Sequence, residues 1–242
     1  MKAVGFSICI LLALFISCGK ENRWDCIKRT GKPATELRDV APFNKIRVRS
    51  NMDVVIRQGP IQEVKIETGS NLISLIRTEV DSGILHLDND NKCSWARSYK
   101  RGKITVYITM PVLRFLWHFG SGFVSTSDTM TCDTLDVWGH QTGNAELTIN
   151  ANVTYLNMHT TSDLTLHGMS SLLGVHHTGE GFLHCEDLLT DYAWTHSTAS
   201  GDEYIQAKSN LWATIDWEGN IFYSGNPTTE LTGSGKGKLI QR

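Results

Sequence analysis

Eight of the nine histidines fall after residue 113: His118, His140, His159, His167, His176, His177, His184 and His196. Trp117, Trp138 and Trp194 keep step with them. Indole and imidazole rings offer flat apolar faces to the C–H groups of a sugar, and Asp163, Glu180 and Asp202 could accept hydrogen bonds from its hydroxyls. The spacing predicts a candidate ligand face made of Trp117, His118, Trp138, His140, His159, His176, His177, Trp194 and His196. The competing reading is a ladder of like residues that stack on one another and bind nothing. Imidazole also suits Zn, Ni and Cu, but there is no HExxH and no cysteine-rich spacing, so no metal site and no cofactor is expected. Asp187, Asp191 and Asp202 could supply paired carboxylates for glycoside chemistry. Lyase chemistry on acidic sugars needs a cation, however, and beyond Arg114 and Lys208 the only basic residues of this region are Lys236, Lys238 and Arg242. No catalytic residue is assigned, and a carbohydrate-active enzyme is the least favoured reading. The tripeptides beginning at Asp128 and Asp133 make Thr129 and Thr134 candidate O-glycosylation sites.

The elements that would carry these residues follow from a loose repeat of about 19 residues. It opens at Leu113 and recurs as Leu135-Asp-Val-Trp-Gly, Leu156-Asn-Met-His-Thr, Leu173-Gly-Val-His-His, Leu211-Trp-Ala-Thr-Ile and Leu231-Thr-Gly-Ser-Gly. Each copy is a short alternating run followed by a turn. One such coil cannot bury its apolar edge alone, whereas stacked coils share a continuous core. The expected fold is all-β, a right-handed parallel β-helix (β-solenoid), because parallel crossovers are overwhelmingly right-handed. Ahead of it, Lys45-Ile-Arg-Val-Arg-Ser, Asp53-Val-Val-Ile-Arg-Gln, Glu63-Val-Lys-Ile-Glu, Gly83-Ile-Leu-His-Leu and Ile104-Thr-Val-Tyr-Ile-Thr read as strands. Leu72 to Val80 carries an apolar stripe that predicts one short helix capped by Ser70 or Asn71. Residues 37–111 thus form a strand-rich N-terminal cap, and 112–239 form the coils.

Charge is divided along the chain. Through Thr105 there are 18 Lys or Arg against 11 Asp or Glu; from Val106 onward there are 5 against 14. An acidic repeat region is unsuited to phosphate backbones, so nucleic acid is excluded as a partner. At the start, Lys2 precedes an apolar run from Ala3 to Ser17 that is too short to span a bilayer comfortably and fits a signal peptide over residues 1–17. Phe15-Ile-Ser-Cys18 resembles a bacterial lipobox, which makes Cys18 the expected lipid attachment point and a lipid anchor the expected link to a membrane. Residues 18–36 are polar and aperiodic, a tether. Of the remaining cysteines, Cys26 with Cys93 is the pairing to test first; Cys132 and Cys185 read as buried core residues, and spacing alone does not decide among the possible pairings.

The order Phe43-Asn-Lys-Ile-Arg-Val, Val54-Val-Ile-Arg-Gln-Gly, Asn71-Leu-Ile, Ile84-Leu-His-Leu, Ile108-Thr-Met-Pro and Phe119-Gly-Ser-Gly, closed by Ile221-Phe-Tyr-Ser-Gly-Asn-Pro and Thr232-Gly-Ser-Gly, resembles the GIN domain. That family, DUF2807, of autotransporter-adhesin head domains is common in Bacteroidetes lipoproteins, and the resemblance covers residues 37–239. It implies a β-solenoid, an envelope location and no catalytic residues to carry over. Gly19-Lys20-Glu21 resembles the export tag of Bacteroidetes surface lipoproteins, which favours the cell surface over the periplasmic face of the outer membrane. Where relatives read Ser-Gly-Ser-Gly at the middle turns, this chain has Gly139-His-Gln-Thr-Gly, His159-Thr-Thr-Ser and His176-His-Thr-Gly. The function this implies is non-catalytic binding or adhesion, with a glycan, a host protein or an envelope protein as partner. The alternative is a structural component of the outer membrane that self-associates as a homo-oligomer or binds a protein partner.

Overall fold

The computed structural model describes residues 29–92, 103–140 and 142–242. Cys18, the signal segment and the Cys26–Cys93 pairing lie outside them. No helix among the described residues is long and apolar enough to cross a membrane.

The chain is a β-solenoid of about seven coils. Its strands are β1 (Pro33–Arg38), β2 (Lys45–Ser50), β3 (Asp53–Gln58), β4 (Glu63–Gly69), β5 (Ile76–Asp81), β6 (Ile84–Asn89), β7 (Thr105–Met110), β8 (Phe115–Gly120) and β9 (Val124–Thr126). They continue as β10 (Met130–Gly139), β11 (Ala145–Thr160), β12 (Leu164–Gly179), β13 (Leu183–Ser197), β14 (Glu203–Ile215), β15 (Ile221–Ser224), β16 (Thr228–Thr232) and β17 (Leu239–Gln241). Two parallel stacks result. In one, β7, β3, β9, the first halves of β11 to β14, β15 and β17 follow one another. In the other, β6, β2, β8, β10, the second halves of β11 to β14 and β16 do so. The long strands pass from one stack to the other by bending at Ala151, Ser170, Thr190 and Ala207, which are register partners with small or short side chains.

Alternation decides what lies inside. In the first stack Leu147, Leu166, Cys185 and Ile205 point inward and are fully buried, and in the second Val137, Leu156 and Val175 do so. These columns form one apolar core, because residues of one parity face the interior on every coil. At the other corner a second device holds the stack. In two runs, interrupted at Phe182, a backbone N–H donates to an Asp or Asn side-chain oxygen one coil earlier: Asp163 to Asn144 (3.1 Å) and Phe182 to Asp163 (2.9 Å), then Asn220 to Asp202 (2.7 Å) and Lys238 to Asn220 (3.1 Å). Partners in this ladder are 18 or 19 residues apart, which is the repeat length read from the sequence. Glycine is required beside it. A Cβ at Gly201 would lie 1.8 Å from the Gly181 carbonyl oxygen, and one at Gly181 would lie 2.0 Å from that of Ser162.

The cap differs from expectation in two places. The stripe from Leu72 to Val80 is not a helix: a single 3-10 turn covers Ile73–Leu75, and Ile76–Asp81 forms β5, antiparallel to β6. A nine-residue segment containing Ile, Thr and Val is marginal as an isolated helix, and the open edge of β6 offers its backbone a full ladder instead. Asn71 does not cap a helix; its side chain donates to the Arg29 carbonyl. The tether also ends earlier than residue 36. Residues 33–36 belong to β1, which pairs antiparallel with β4 and covers one end of the solenoid. The proline sits at the first position of this edge strand, where no ladder N–H is needed.

Candidate functional site

The second stack carries most of the predicted rings on its outer surface. Trp117, Trp138, Asn157, His176 and His196 are successive register partners and form one column. His140 and His159 stack in a neighbouring row whose first ring is Phe119, and Trp194 belongs to the column on the other side, with Phe115, Tyr155 and Trp212. The three columns make a strip from β8 to β14, about 24 Å along the axis at about 4.8 Å per coil.

Ring geometry along this strip is irregular. Phe115 stacks on Trp117 (centroids 3.6 Å apart), Phe119 on His140 (4.9 Å) and His140 on His159 (5.1 Å). Trp138 is tilted against Phe115 and His140, and His176 meets Trp194 and His196 edge-on. Gly174 is the reason Trp194 reaches across the strip: a Cβ there would lie 2.6 Å from the indole, so the ring occupies the place of the missing side chain and approaches Tyr155. Arg47 closes the upper end, its guanidinium 5.1 Å from the Phe119 centroid. At the lower end His196 Nε2 lies 3.1 Å from Asp216 Oδ2. The carboxyl of Asp216 is held below its usual range, chiefly by the Ser234 backbone N–H and then by His196. Burial, with some repulsion from His159, lowers the pKa of His140. Tyr155, Tyr192 and Trp212 are all exposed.

Two predicted residues are not on this face. His118 and His177 point into the core, in a column with Gly139 and Met158. Each differs by one position from an outward residue, Trp117 or His176, and a shift of one in a strand moves a side chain to the other face. His177 Nδ1 lies 3.2 Å from Glu203 Oε1, and Thr195 Oγ1 donates to Glu203 Oε2 at 2.6 Å, a polar cluster with no exposure at Glu203. Conversely, Phe115, Phe119, Tyr155 and Trp212 also stand on this face, although only Trp and His were expected there; Phe115 and Phe119 lie two positions either side of Trp117 on the same strand, whereas Tyr155 and Trp212 are brought to the strip only by the register of the coils.

The predicted acidic companions lie elsewhere. Asp163 and Asp202 serve the corner ladder, Asp187 lies 3.5 Å from His167, and Asp191 pairs with Lys208. These carboxylates are not assembled as a catalytic pair. No group of His, Cys, Asp and Glu among the described residues could hold a metal ion. Cys132 is half-buried and Cys185 buried, both free thiols, with the pKa of each raised chiefly by burial. Thr129 is exposed just before β10, and Thr134 is half-buried on it.

Residues 42–227 match the family described as "Putative auto-transporter adhesin, head GIN domain", and the chain belongs to that family. It is thus an adhesin-like domain of a cell-envelope class. A crystal structure of a "putative adhesin" from Bacteroides fragilis superposes with a TM-score of 0.80 at 24% identity, covering 87% of this chain and 97% of that one. A second, from Parabacteroides distasonis, gives 0.67 at 19% identity over 88% and 98%. A third, named "Putative lipid binding protein" and also from Parabacteroides distasonis, gives 0.71 at 18% over 88% and 97%. At these identities the likeness is one of fold. No curated protein matches the chain in sequence.

Proposed function

We propose that this domain is a non-catalytic adhesion module held at the outer membrane surface through lipid on Cys18, and that its ring-bearing face makes the contact, with a glycan as ligand. What supports the reading is the disorder of ring orientation on an exposed surface: tilted and edge-on rings leave π-faces uncovered, where a structural ladder would cover them. The experiment is a glycan array with the purified protein, with and without divalent metal, comparing it with the triple variant W138A/H159A/H176A. Binding to one sugar class is expected, and the triple variant should lose it. Undiminished binding by the variant would remove this face from the reading. The Cys18→Ser variant should leave the membrane fraction for the soluble one.

A second reading, self-association, has its own observation. Among the described residues β16 pairs only with β14, is exposed along its whole length and carries Leu231 at 52% exposure. An unpaired edge strand over an open core is a template for another chain. Sedimentation over a wide concentration range tests it, and a monomer throughout would dismiss it.

A further inference from the structure

The bend in the middle of each long strand opens a groove of about 640 Å³, within the range of small-molecule sites and separate from the ring face. It runs from Asn150 on β11 to Asn226, beyond β15, crossing four coil spacings, or about 19 Å. Its floor is the bend itself, the column Ala151, Ser170, Thr190 and Ala207, continued by Gly225.

Three properties of the lining define what fits. Apolar surface is left open: the register partners Met169 and Leu189 are 50% and 52% exposed side by side. Beside them the side-chain amides of Asn150, Gln206 and Asn226 have no hydrogen-bond partner among the described residues, so each offers two donors and an acceptor. The lining's charges, Asp191 and Lys208, face each other at 3.9 Å.

We infer that this groove binds an extended, uncharged oligosaccharide lying along the solenoid axis, with about one sugar per coil. Pyranose units carry a C–H face for Met169 and Leu189 and hydroxyls at the edge for the amides. In an extended β-linked chain they recur at close to the coil spacing. A charged polymer gains nothing from a lining whose charges are already matched. An acyl chain would leave the amides without partners and remove them from water, which is unfavourable. The groove shares no residue with the ring face, so the two sites stand or fall separately.

Titration calorimetry with the purified protein tests this, using cellobiose through cellohexaose and the corresponding chito-oligosaccharides, with maltohexaose as a coiling control and decanoate as an acyl probe. Affinity for at least one β-linked series should rise with length as far as the tetramer and then level off. Leu189→Lys, which places a charge in the groove, and the paired Gln206→Ala and Asn226→Ala changes should each weaken it by about tenfold or more. Glu79→Ala, an exposed change on β5 outside the lining, should leave it unchanged. The amide variants alter only polar surface residues, so they remain informative should Leu189→Lys fail to fold. The proposal is overturned if neither β-linked series binds, if maltohexaose binds as well as they do, if decanoate is preferred, or if the groove variants bind normally. Loss of binding in the ring-face variant alone overturns it too, and assigns the sugar to the strip.

Discussion

On the two sides of one sheet the same residue type does opposite things. His176 lies outside, edge-on to Trp194; His177, the next residue, lies inside against Glu203. Likewise His118 is 3% exposed while Trp117 before it stands on the outer strip. The inner histidines are bound into the core and the outer ones are arranged among rings that leave space between them. Parity along the strand, and not residue type, separates a structural role from a candidate binding role.

The sharpest test of that division is inside. Glu203→Ala removes the partner of both His177 and Thr195 in a site closed to water, and breaking a buried pair costs about 3–5 kcal/mol. The urea midpoint should fall accordingly, while Glu203→Gln, which keeps an acceptor for Thr195, should lose distinctly less. If Glu203→Ala unfolded at the wild-type midpoint, the inner cluster would have no structural role and the contrast would collapse.

His118 makes the same point through pH. Burial pushes its pKa down to about 4, against an opposing hydrogen bond with the Gly122 backbone, and its Nε2 is buried with no partner among the described residues. In the unfolded chain the imidazole titrates near 6.5. Above that pH it is neutral in both states and adds no pH dependence. Between about 6.5 and 4 the unfolded state binds more protons, so stability falls as the pH falls, by about 3 kcal/mol in all. Asp216, whose pKa is lowered, loses stabilisation in the same direction on acidification. The comparison is therefore between wild type and His118→Leu, measured by urea unfolding at neutral pH and near pH 4.5: the variant should show the shallower dependence. Equal slopes would mean that His118 is not held neutral by the core.

How much of this was legible in the sequence depends on the kind of signal. Strands β2 and β3 were read at their observed ends, because Ile46, Val48, Val54 and Ile56 alternate cleanly with polar neighbours. The coil period was legible for the same reason, and the corner ladder of Asn144, Asp163, Asp202 and Asn220 keeps it. β5 was misread since Leu72, Ile73, Leu75, Ile76 and Val80 satisfy a helical stripe, while the partner that makes Ile76–Asp81 a strand, β6, is supplied by tertiary structure. The ligand face was legible as a region but not in parity. A repeat whose length varies between 18 and 21 residues from Leu116 to Leu231 does not by itself say which of two adjacent residues points out. The groove was invisible, because nothing in Ala151, Ser170, Thr190 and Ala207 announces a bend until the coils are stacked.

Outside, the division predicts binding effects with little change in stability. Trp138, His159 and His176 are half-buried or exposed, so the triple variant should lose about 1–2 kcal/mol of stability in urea unfolding even where it abolishes ligand binding. A loss as large as that of Glu203→Ala would show the strip to be a structural element after all.

A second set of rings provides the internal control. On the first stack His184, Tyr204 and Phe222 are register partners and lie nearly parallel, at interplanar angles of 2° and 11° and centroid distances of 5.1 and 5.2 Å. Arg242 covers Tyr204 and Phe222 at 4.8 and 4.7 Å. Here the faces are used up by neighbours and a guanidinium, which is what a ladder built only for stability looks like. In the strip the Phe119, His140 and His159 row under Arg47 is built the same way; the departure from it is the part around Trp138, His176, Trp194 and His196, where rings meet tilted or edge-on. Arg242→Ala should cost only about 0.5–1 kcal/mol, the worth of an exposed cation over a ring, and should change no ligand binding. Loss of binding in that variant would transfer the functional argument from the strip to the ladder, since a face that needs its arginine to bind is not merely being covered by it.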